Sequence, residues 1–315
     1  MPYSDGERTL ISEDSEFVAD CVTKFFDCLY IRGWFRSPED PLSSVELQGH
    51  GGIHQRSEVG FDYPGVGPRS GFQLQALLNE VFSWDLTVGF RTESGRVAQA
   101  TLRDLSRDRE ARYPSIALSQ SVRDRINATP DARVLDIGGR DRSKLDLSSQ
   151  FSVKEYVVLD ILPGSNVDIV SDAHEMSQML EPASFDYVIA ASVFEHLLMP
   201  WKVVLEMNHV LKLGGLAWIS THQTVGMHDR PWDFWRFSDT SWDALFNKAT
   251  GFRVVDRVMD FEEFILPFVI RDNKLDSEKT AGYELSAVLV EKIGPTSLEW
   301  PVALESIIET WYPAQ

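Results

Sequence analysis

Three short apolar runs in the middle of the chain each lead to an acid. Val134-Leu135-Asp136-Ile137 runs into Gly138-Gly139-Arg140-Asp141-Arg142, Tyr156-Val157-Val158-Leu159 ends in Asp160 with Ile161 next, and Val167-Asp168-Ile169-Val170 leads to Asp172-Ala173. A polar start, an apolar run, an acid and a glycine pair are the marks of a buried strand that ends in a tight turn. Two glycines there let the backbone come close to a ligand. Asp160 lies about 20 residues beyond Gly138, where an acid of a βαβ unit is placed to hold ribose hydroxyls. A nicotinamide dinucleotide domain is the rival reading. It would want G-x-G-x-x-G to seat a pyrophosphate on a helix N-terminus, whereas this chain has one adjacent pair with Arg140 and Arg142 after it. Asp136 beside the loop would also repel a pyrophosphate, yet it suits a cationic amino group.

A second chemical stretch is His222-Gln223-Thr224-Val225-Gly226-Met227-His228-Asp229-Arg230-Pro231-Trp232-Asp233-Phe234-Trp235-Arg236-Phe237. It is too polar and too aromatic for a simple connection, and long loops in compact domains tend to be functional. It follows an expected strand, Gly215 to Thr221, so it should overhang the carboxyl end of a sheet. A neutral histidine is the usual side chain for removing a proton near neutral pH. His222, His196 (in Phe194-Glu195-His196) and His228 are therefore the candidate bases, with His222 first because it opens the loop. The alternatives are a backbone-bonded loop histidine for His222, a pocket-lining residue for His196, and an acceptor or metal contact for His228. Trp232 and Trp235 can stack on a sugar ring or lid a pocket. Asp233 and Arg236 are candidate acceptor contacts, or else a structural ion pair.

Strands must carry these residues. Phe185 to Ser192 and Gly215 to Thr221 complete a parallel set with the three runs above. Helical patterns lie between them, as in an α/β, Rossmann-like doubly wound sheet. Phe252 to Val258 and Tyr283 to Val290 read as the last two strands, giving seven. Ser238 or Thr240 can cap a short helix before them. Leu298 to Trp311 is expected as a C-terminal helix, and residues 106–128 as a linker helix.

With those residues in place, positions 130 to 292 resemble a class I S-adenosylmethionine-dependent methyltransferase. Val134 to Gly139 is similar to the family's first motif and Asp160 to its acidic second motif. Asp172-Ala173 resembles its adenine-contacting pair, Phe185 to His196 its fourth motif, and Leu211-Lys212-Leu213-Gly214-Gly215 the turn before its fifth strand. The resemblance implies S-adenosyl-L-methionine as cofactor, held by Asp136, Gly138, Gly139, Arg140, Asp160, Ile161, Asp172, Ala173 and Ser192. It departs from the family at Arg140 and Arg142, where glycines are usual; either arginine can reach a ligand carboxylate or face solvent. Loops of the form His…His-x-x-Pro-x-Asp-x-x-Arg-Phe resemble those of a bacterial branch linked to polysaccharide or secondary-metabolite modification. The expected activity is O-methylation of a sugar or other small hydroxylated acceptor. N-methylation or small-metabolite methylation without a base is the alternative, and a non-catalytic scaffold with a degenerate loop is a third.

The first hundred residues differ in pattern. Leu29 to Phe35, Ser44 to Gly49, Gly71 to Leu77, Trp84 to Phe90 and Arg96 to Leu102 read as short strands of a small antiparallel sandwich. Phe17 to Phe26 has helix-like spacing, and residues 1–15 read as loose. Ile31-Arg32-Gly33-Trp34 resembles small β modules of bacterial glycan-modifying enzymes. The organisation is thus an accessory module over 1–105, a linker over 106–129 and a methyltransferase domain over 130–315. His50 and His54 lack carboxylate or cysteine partners at metal-site spacing, so no metal is expected. The chain has 315 residues, 43% of them hydrophobic, and a net charge of −18. That charge argues against nucleic acid or an anionic membrane as partner. Cys21 and Cys28 are too few for a disulfide framework. Neither a leader nor a 20-residue apolar span is evident, so a cytoplasmic enzyme with a small-molecule or glycan acceptor is expected, as a possible homo-oligomer.

Overall fold

The computed structural model describes residues 16–37, 39–48, 54–78, 82–110, 113–141, 147–269, 271–275, 277–309 and 312. His50, Arg142, Trp311 and the stretch 1–15 lie outside them. The chain divides into two compact units, Met1–Tyr113 and Pro114–Gln315.

The first unit holds β1 (Glu16–Phe25), β2 (Cys28–Arg36), β3 (Leu42–Gln48), β4 (Gln55–Tyr63), β5 (Gly67–Leu77), β6 (Thr87–Thr92), β7 (Val97–Thr101) and α1 (Leu102–Glu110). Two antiparallel sheets, β1-β2-β5-β4 and β3-β6-β7, share one core around Ile31, Phe72, Leu74, Val88 and Phe90. Along β2 the buried positions alternate, Leu29, Ile31, Gly33 and Phe35, as a one-sided strand requires. Gly33 is fixed by space: a Cβ there would stand 2.1 Å from the Val18 carbonyl oxygen and 2.9 Å from the Phe72 ring.

The expectation of a helix at Phe17 to Phe26 is corrected: the segment is β1, paired with β2. A register shift between Ala19 and Cys21 puts an extra residue into the strand. Its core-facing residues are then Phe17, Ala19 and Val22, a spacing that departs from period two and mimics a helix. β4 was missed because none of its residues is fully buried and so it lacks alternation. His54 is exposed just before it.

The second unit begins with α2 (Pro114–Asn127), whose Leu118, Val122 and Ile126 form one buried stripe. The single linker helix expected over 106–128 is therefore two helices, α1 and α2. Proline opens α2, and the buried Asp260 carboxylate accepts from Ser115 N at 2.8 Å, capping it from a distant strand. Then come β8 (Arg133–Ile137), β9 (Glu155–Asp160), β10 (Ile169–Val170), β11 (Phe185–Ala191), α3 (Pro200–Val210), β12 (Leu211–His222), α4 (Ser241–Leu245), β13 (Phe252–Glu263) and β14 (Gly282–Lys292). They build one seven-stranded sheet in the order β10-β9-β8-β11-β12-β14-β13, parallel from β10 to β12 and antiparallel at β14 and β13. The α/β, Rossmann-like sheet expected from the sequence is thus present beside an antiparallel β module. α3 covers one face through Val203, Val204, Met207 and Val210, while α2 covers the other.

Two helical expectations fail. α4 follows Thr240, but no side chain caps it; Ser241 N instead bonds the Ser238 carbonyl at 3.2 Å. The C-terminal helix is absent: over the described residues of 298–311 the only helical piece is a 3₁₀ turn, Leu304–Ser306. Pro301 lacks the needed N–H, and Lys202 Nζ takes the Val302 carbonyl at 3.0 Å. The apolar residues there pack instead as a small cluster, Met199, Trp232 and Leu304 with Tyr312.

Candidate functional site

Strand order reverses between β8 and β11, and in open α/β sheets ligands bind at that reversal, beyond the carboxyl ends of the strands. Two turns meet there. Gly138, with φ +74°, leaves β8 in the left-handed region and donates its N–H to the Leu159 carbonyl at 2.7 Å. Ser192, with φ +54°, leaves β11 and donates to the Ser220 carbonyl at 2.8 Å. A left-handed conformation at a serine is strained, and such positions cluster at functional sites. A crevice lined by Gly138 and Ser192 opens beside these turns.

The strand-end acids have different tasks. Asp136 is buried and lies under the loop: the Tyr156 hydroxyl donates to it at 2.8 Å, and a Cβ on Gly139 would fall 2.3 Å from its Oδ2. Asp136 and Gly139 therefore shape the turn without lining the crevice, while Gly138, Arg140, Asp160, Ile161, Asp172, Ala173 and Ser192 line it. Asp160 Oδ1 accepts from Leu162 N at 2.8 Å and stands 3.4 Å from Arg140 Nε. Arg140 neither faces solvent nor points away: its guanidinium rests on the acid expected to hold the ribose. Gly164 makes room for it, since a Cβ there would lie 2.8 Å from Arg140 Cγ. Asn166 then pins the loop, donating to the Gly139 carbonyl at 2.8 Å and accepting from Asp141 N at 3.0 Å.

Asp172 accepts from both the backbone N (2.9 Å) and Nδ1 (2.6 Å) of His174, a buried residue the sequence reading passed over. Because His174 Nε2 accepts from Met199 N at 3.1 Å, its proton sits on Nδ1. Burial alone would raise the Asp172 carboxyl, but the His174 bonds outweigh it and hold it below its ordinary value.

Beyond His196 the crevice wall leads to the long loop. The loop contains a cis Arg230-Pro231 bond and is clamped to itself and to Glu195. Phe234 N and Trp235 N both donate to the Glu195 carbonyl, at 2.8 and 3.2 Å, and Phe237 N donates to the His222 carbonyl at 2.9 Å. Arg236 makes a two-pronged pair with Asp233, at 2.6 and 2.9 Å, and donates to the Val225 carbonyl at 2.8 Å. Those guanidinium bonds hold the Asp233 carboxyl at about 2. Trp232 is 3% exposed, and the Trp235 indole donates to the Leu197 carbonyl at 2.8 Å. Asp233, Arg236 and Trp235 do not line the crevice, whereas Trp232 and Tyr312 do. In this structure these four loop residues hold the loop together.

What the loop brings together is a histidine cluster around Glu195. The His196 and His228 rings lie 5.0 Å apart, and His222 and His228 5.6 Å apart. Glu195 is fully buried; its Oε2 accepts from the Thr221 hydroxyl at 2.5 Å, and its Oε1 lies 3.1 Å from His222 Nε2 and 3.8 Å from His196 Nε2. Burial raises the Glu195 carboxyl, but His222 and Thr221 together outweigh it and leave it below its ordinary value. The three histidines named from sequence are thus neighbours. The buried carboxylate at their centre was legible only as the residue before His196, and Tyr312 gave no signal at all from the far end of the chain.

The fit to an adenosyl cofactor follows from this lining. Gly138 brings backbone to the crevice, Asp160 presents a strand-end carboxylate, and Asp172-Ala173 forms the next wall; together they match a nucleoside with two ribose hydroxyls. No pyrophosphate seat is present at the described part of the loop.

Residues 135–219 match the family described as "Methyltransferase domain". None of the curated proteins compared matches the chain. Similar solved structures include an S-adenosylmethionine-dependent methyltransferase from Archaeoglobus fulgidus (18% identity, 55% of this chain and 94% of that one, TM-score 0.41). Others are the YcgJ protein from Bacillus subtilis (18%, 54% and 95%, 0.39) and a Burkholderia thailandensis 1,6-didemethyltoxoflavin-N1-methyltransferase with bound S-adenosylhomocysteine (16%, 56% and 78%, 0.40). Residues 135–219, with their glycine turn, strand-end acids and switch-point crevice, match a methyltransferase domain.

Proposed function

We propose that this chain methylates a hydroxyl oxygen of a small acceptor, a sugar being the first class to test. The observation that carries the reading is the Glu195–His222–His228 cluster at the edge of the cofactor crevice, reached through His196. Bound S-adenosylmethionine supplies a methyl group already activated by its sulfonium. The chain's own residues have two tasks: to align the acceptor oxygen with that methyl, and to take the hydroxyl proton. Alignment can contribute roughly 7–11 kcal/mol, so the rigid clamp of the loop on Glu195 matters as much as any base. Glu195 Oε1, beside His222 Nε2, is placed to stabilise an imidazolium at His222 once that ring has accepted the proton. The exposed edge of Trp235, 37% accessible, offers an apolar face for a sugar ring.

One observation favours a second reading. Arg140 on Asp160 occupies the ribose acid, as a scaffold that no longer binds cofactor would have it. Calorimetric titration with S-adenosylhomocysteine separates the two: binding supports the enzyme, and its absence supports the scaffold. With binding established, His222→Ala is expected to abolish methylation of hydroxyl acceptors in a screen with labelled donor, and cofactor affinity is expected to stay intact. Unchanged turnover would remove His222 as the base.

A further inference from the structure

A buried polar atom at the centre of the cluster, Glu195 Oε1, lacks a hydrogen bond. Native structures leave few such atoms unpaired, and those that remain point to an ion, a water or a catalytic role. Glu195 is fully buried, and its oxygen lies 3.1 Å from His222 Nε2 without the alignment of a hydrogen bond. That separation is what two ligands of one metal show. With metal–nitrogen and metal–oxygen bonds of about 2.0–2.2 Å, neighbouring ligands in tetrahedral or octahedral sites stand about 2.9–3.4 Å apart.

The surrounding bonds orient the set. Thr221 anchors Glu195 through Oε2 and leaves Oε1 over. His228 Nδ1 lies 3.0 Å from the Gly226 carbonyl, which can only accept, so Nδ1 carries the proton and Nε2 keeps its lone pair. A backbone carbonyl on the far ring nitrogen is the usual outer support of a metal-bound histidine. One ligand atom from each of Glu195, His222 and His228 lies within 4.8 Å of the other two. His228, on the loop, is the most exposed of the three.

We propose that Glu195, His222 and His228 bind one divalent first-row transition cation of the Zn²⁺ or Mn²⁺ kind. Two imidazoles and one carboxylate select such ions over Mg²⁺ and Ca²⁺, which prefer all-oxygen sets, and three protein ligands leave a position open for an acceptor oxygen. The site goes beyond the methyl-transfer reading and does not need it: a cation can bind here whatever the acceptor, and with a cation bound His222 is a ligand and no longer the base proposed above.

The test uses the full chain freed of metal by chelation. Mn²⁺ is titrated by loss of the free-ion electron paramagnetic resonance signal, Zn²⁺ by competition with a chromophoric chelator, and Mg²⁺ by its ability to displace Mn²⁺. One Mn²⁺ or Zn²⁺ per chain is expected, with Mg²⁺ competing at least about a hundredfold more weakly. His228→Ala, at a half-buried position, and Glu195→Gln, both checked for fold by circular dichroism, should each weaken binding at least about tenfold. Binding that both variants leave unchanged, Mg²⁺ competing equally, or no stoichiometric binding would overturn the site. Titration of the unsubstituted chain with S-adenosylhomocysteine in the same buffer reports on methyl transfer by itself, so either reading can fail alone.

Discussion

Arg140→Ala is expected to tighten the binding of S-adenosylhomocysteine. Arg140 Nε stands 3.4 Å from Asp160 Oδ1, with side-chain exposures of 17% and 9%. A ribose that hydrogen-bonds Asp160 must compete with that guanidinium. The bare attraction at such a distance is about 5 kcal/mol at an effective dielectric constant near 20. Desolvation of two largely buried charges offsets most of it, and Arg140 Nε makes no aligned hydrogen bond. A net value of about 1 kcal/mol remains. Removing the arginine releases that amount to the ligand, a roughly fivefold fall in Kd by isothermal titration calorimetry. The gain should shrink with added salt, because the pair it removes is electrostatic. In an Asp160→Asn background, where the pair is already gone, Arg140→Ala should change affinity by less than about twofold, which makes the double-mutant cycle the decisive form of the assay. Asp160→Asn alone should weaken binding about tenfold or more, since a charged acceptor of ribose hydroxyls is lost. Weaker binding by Arg140→Ala would refute the competition and place Arg140 on the ligand.

Three further outcomes follow from packing and charge. Thr221→Val removes the hydroxyl that donates to buried Glu195, so it should destabilise the second unit by about 1–3 kcal/mol in urea unfolding. Gly33→Ala forces a Cβ to within 2.1 Å of the Val18 carbonyl and should cost the first unit about 1–3 kcal/mol, read from its own unfolding transition. Asp172 has a folded pKa below its unfolded one. Its stabilising contribution is therefore complete above the ordinary aspartate range and is lost as pH falls through the lowered value; Asp172→Asn should flatten the acid limb of a melting-temperature series.

The parallel sheet was legible because its strands are buried on both faces. Val158 and Ile189 sit in uninterrupted apolar runs that only a two-sided sheet accommodates, and Asp160 and Ser192 close those runs. β1 was illegible for a local reason. One extra residue near Asp20 breaks the alternation of its core-facing side chains, and spacing alone cannot separate a bulged strand from a helix. The C-terminal segment misled in the opposite way. Its apolar residues at helical intervals pack on Met199 and Trp232 as irregular chain, because Pro301 and the Lys202 bond to Val302 remove the backbone pairing a helix would need.

The site divides along the same line. Residues that line the crevice through local geometry, Gly138, Asp160 and Ala173, could be read from a turn at the end of a run. Residues that act through partners far away in the chain could not. Arg140 reads as a loop substitution until Gly164 and Asp160 are placed around it, and Glu195 reads as a neighbour of His196 until the loop folds back. The Phe234 and Trp235 amides then grip its carbonyl, while Thr221 grips its carboxylate. That double hold explains why the loop is so polar and yet so fixed: its aromatic and charged residues close on each other and on Glu195. Asp233 and Arg236, chosen as acceptor contacts for their charge, spend that charge on one another. What the clamp leaves over are His196, His222, His228 and the outer face of Trp235, so on the reading proposed above the search for an acceptor belongs at that edge.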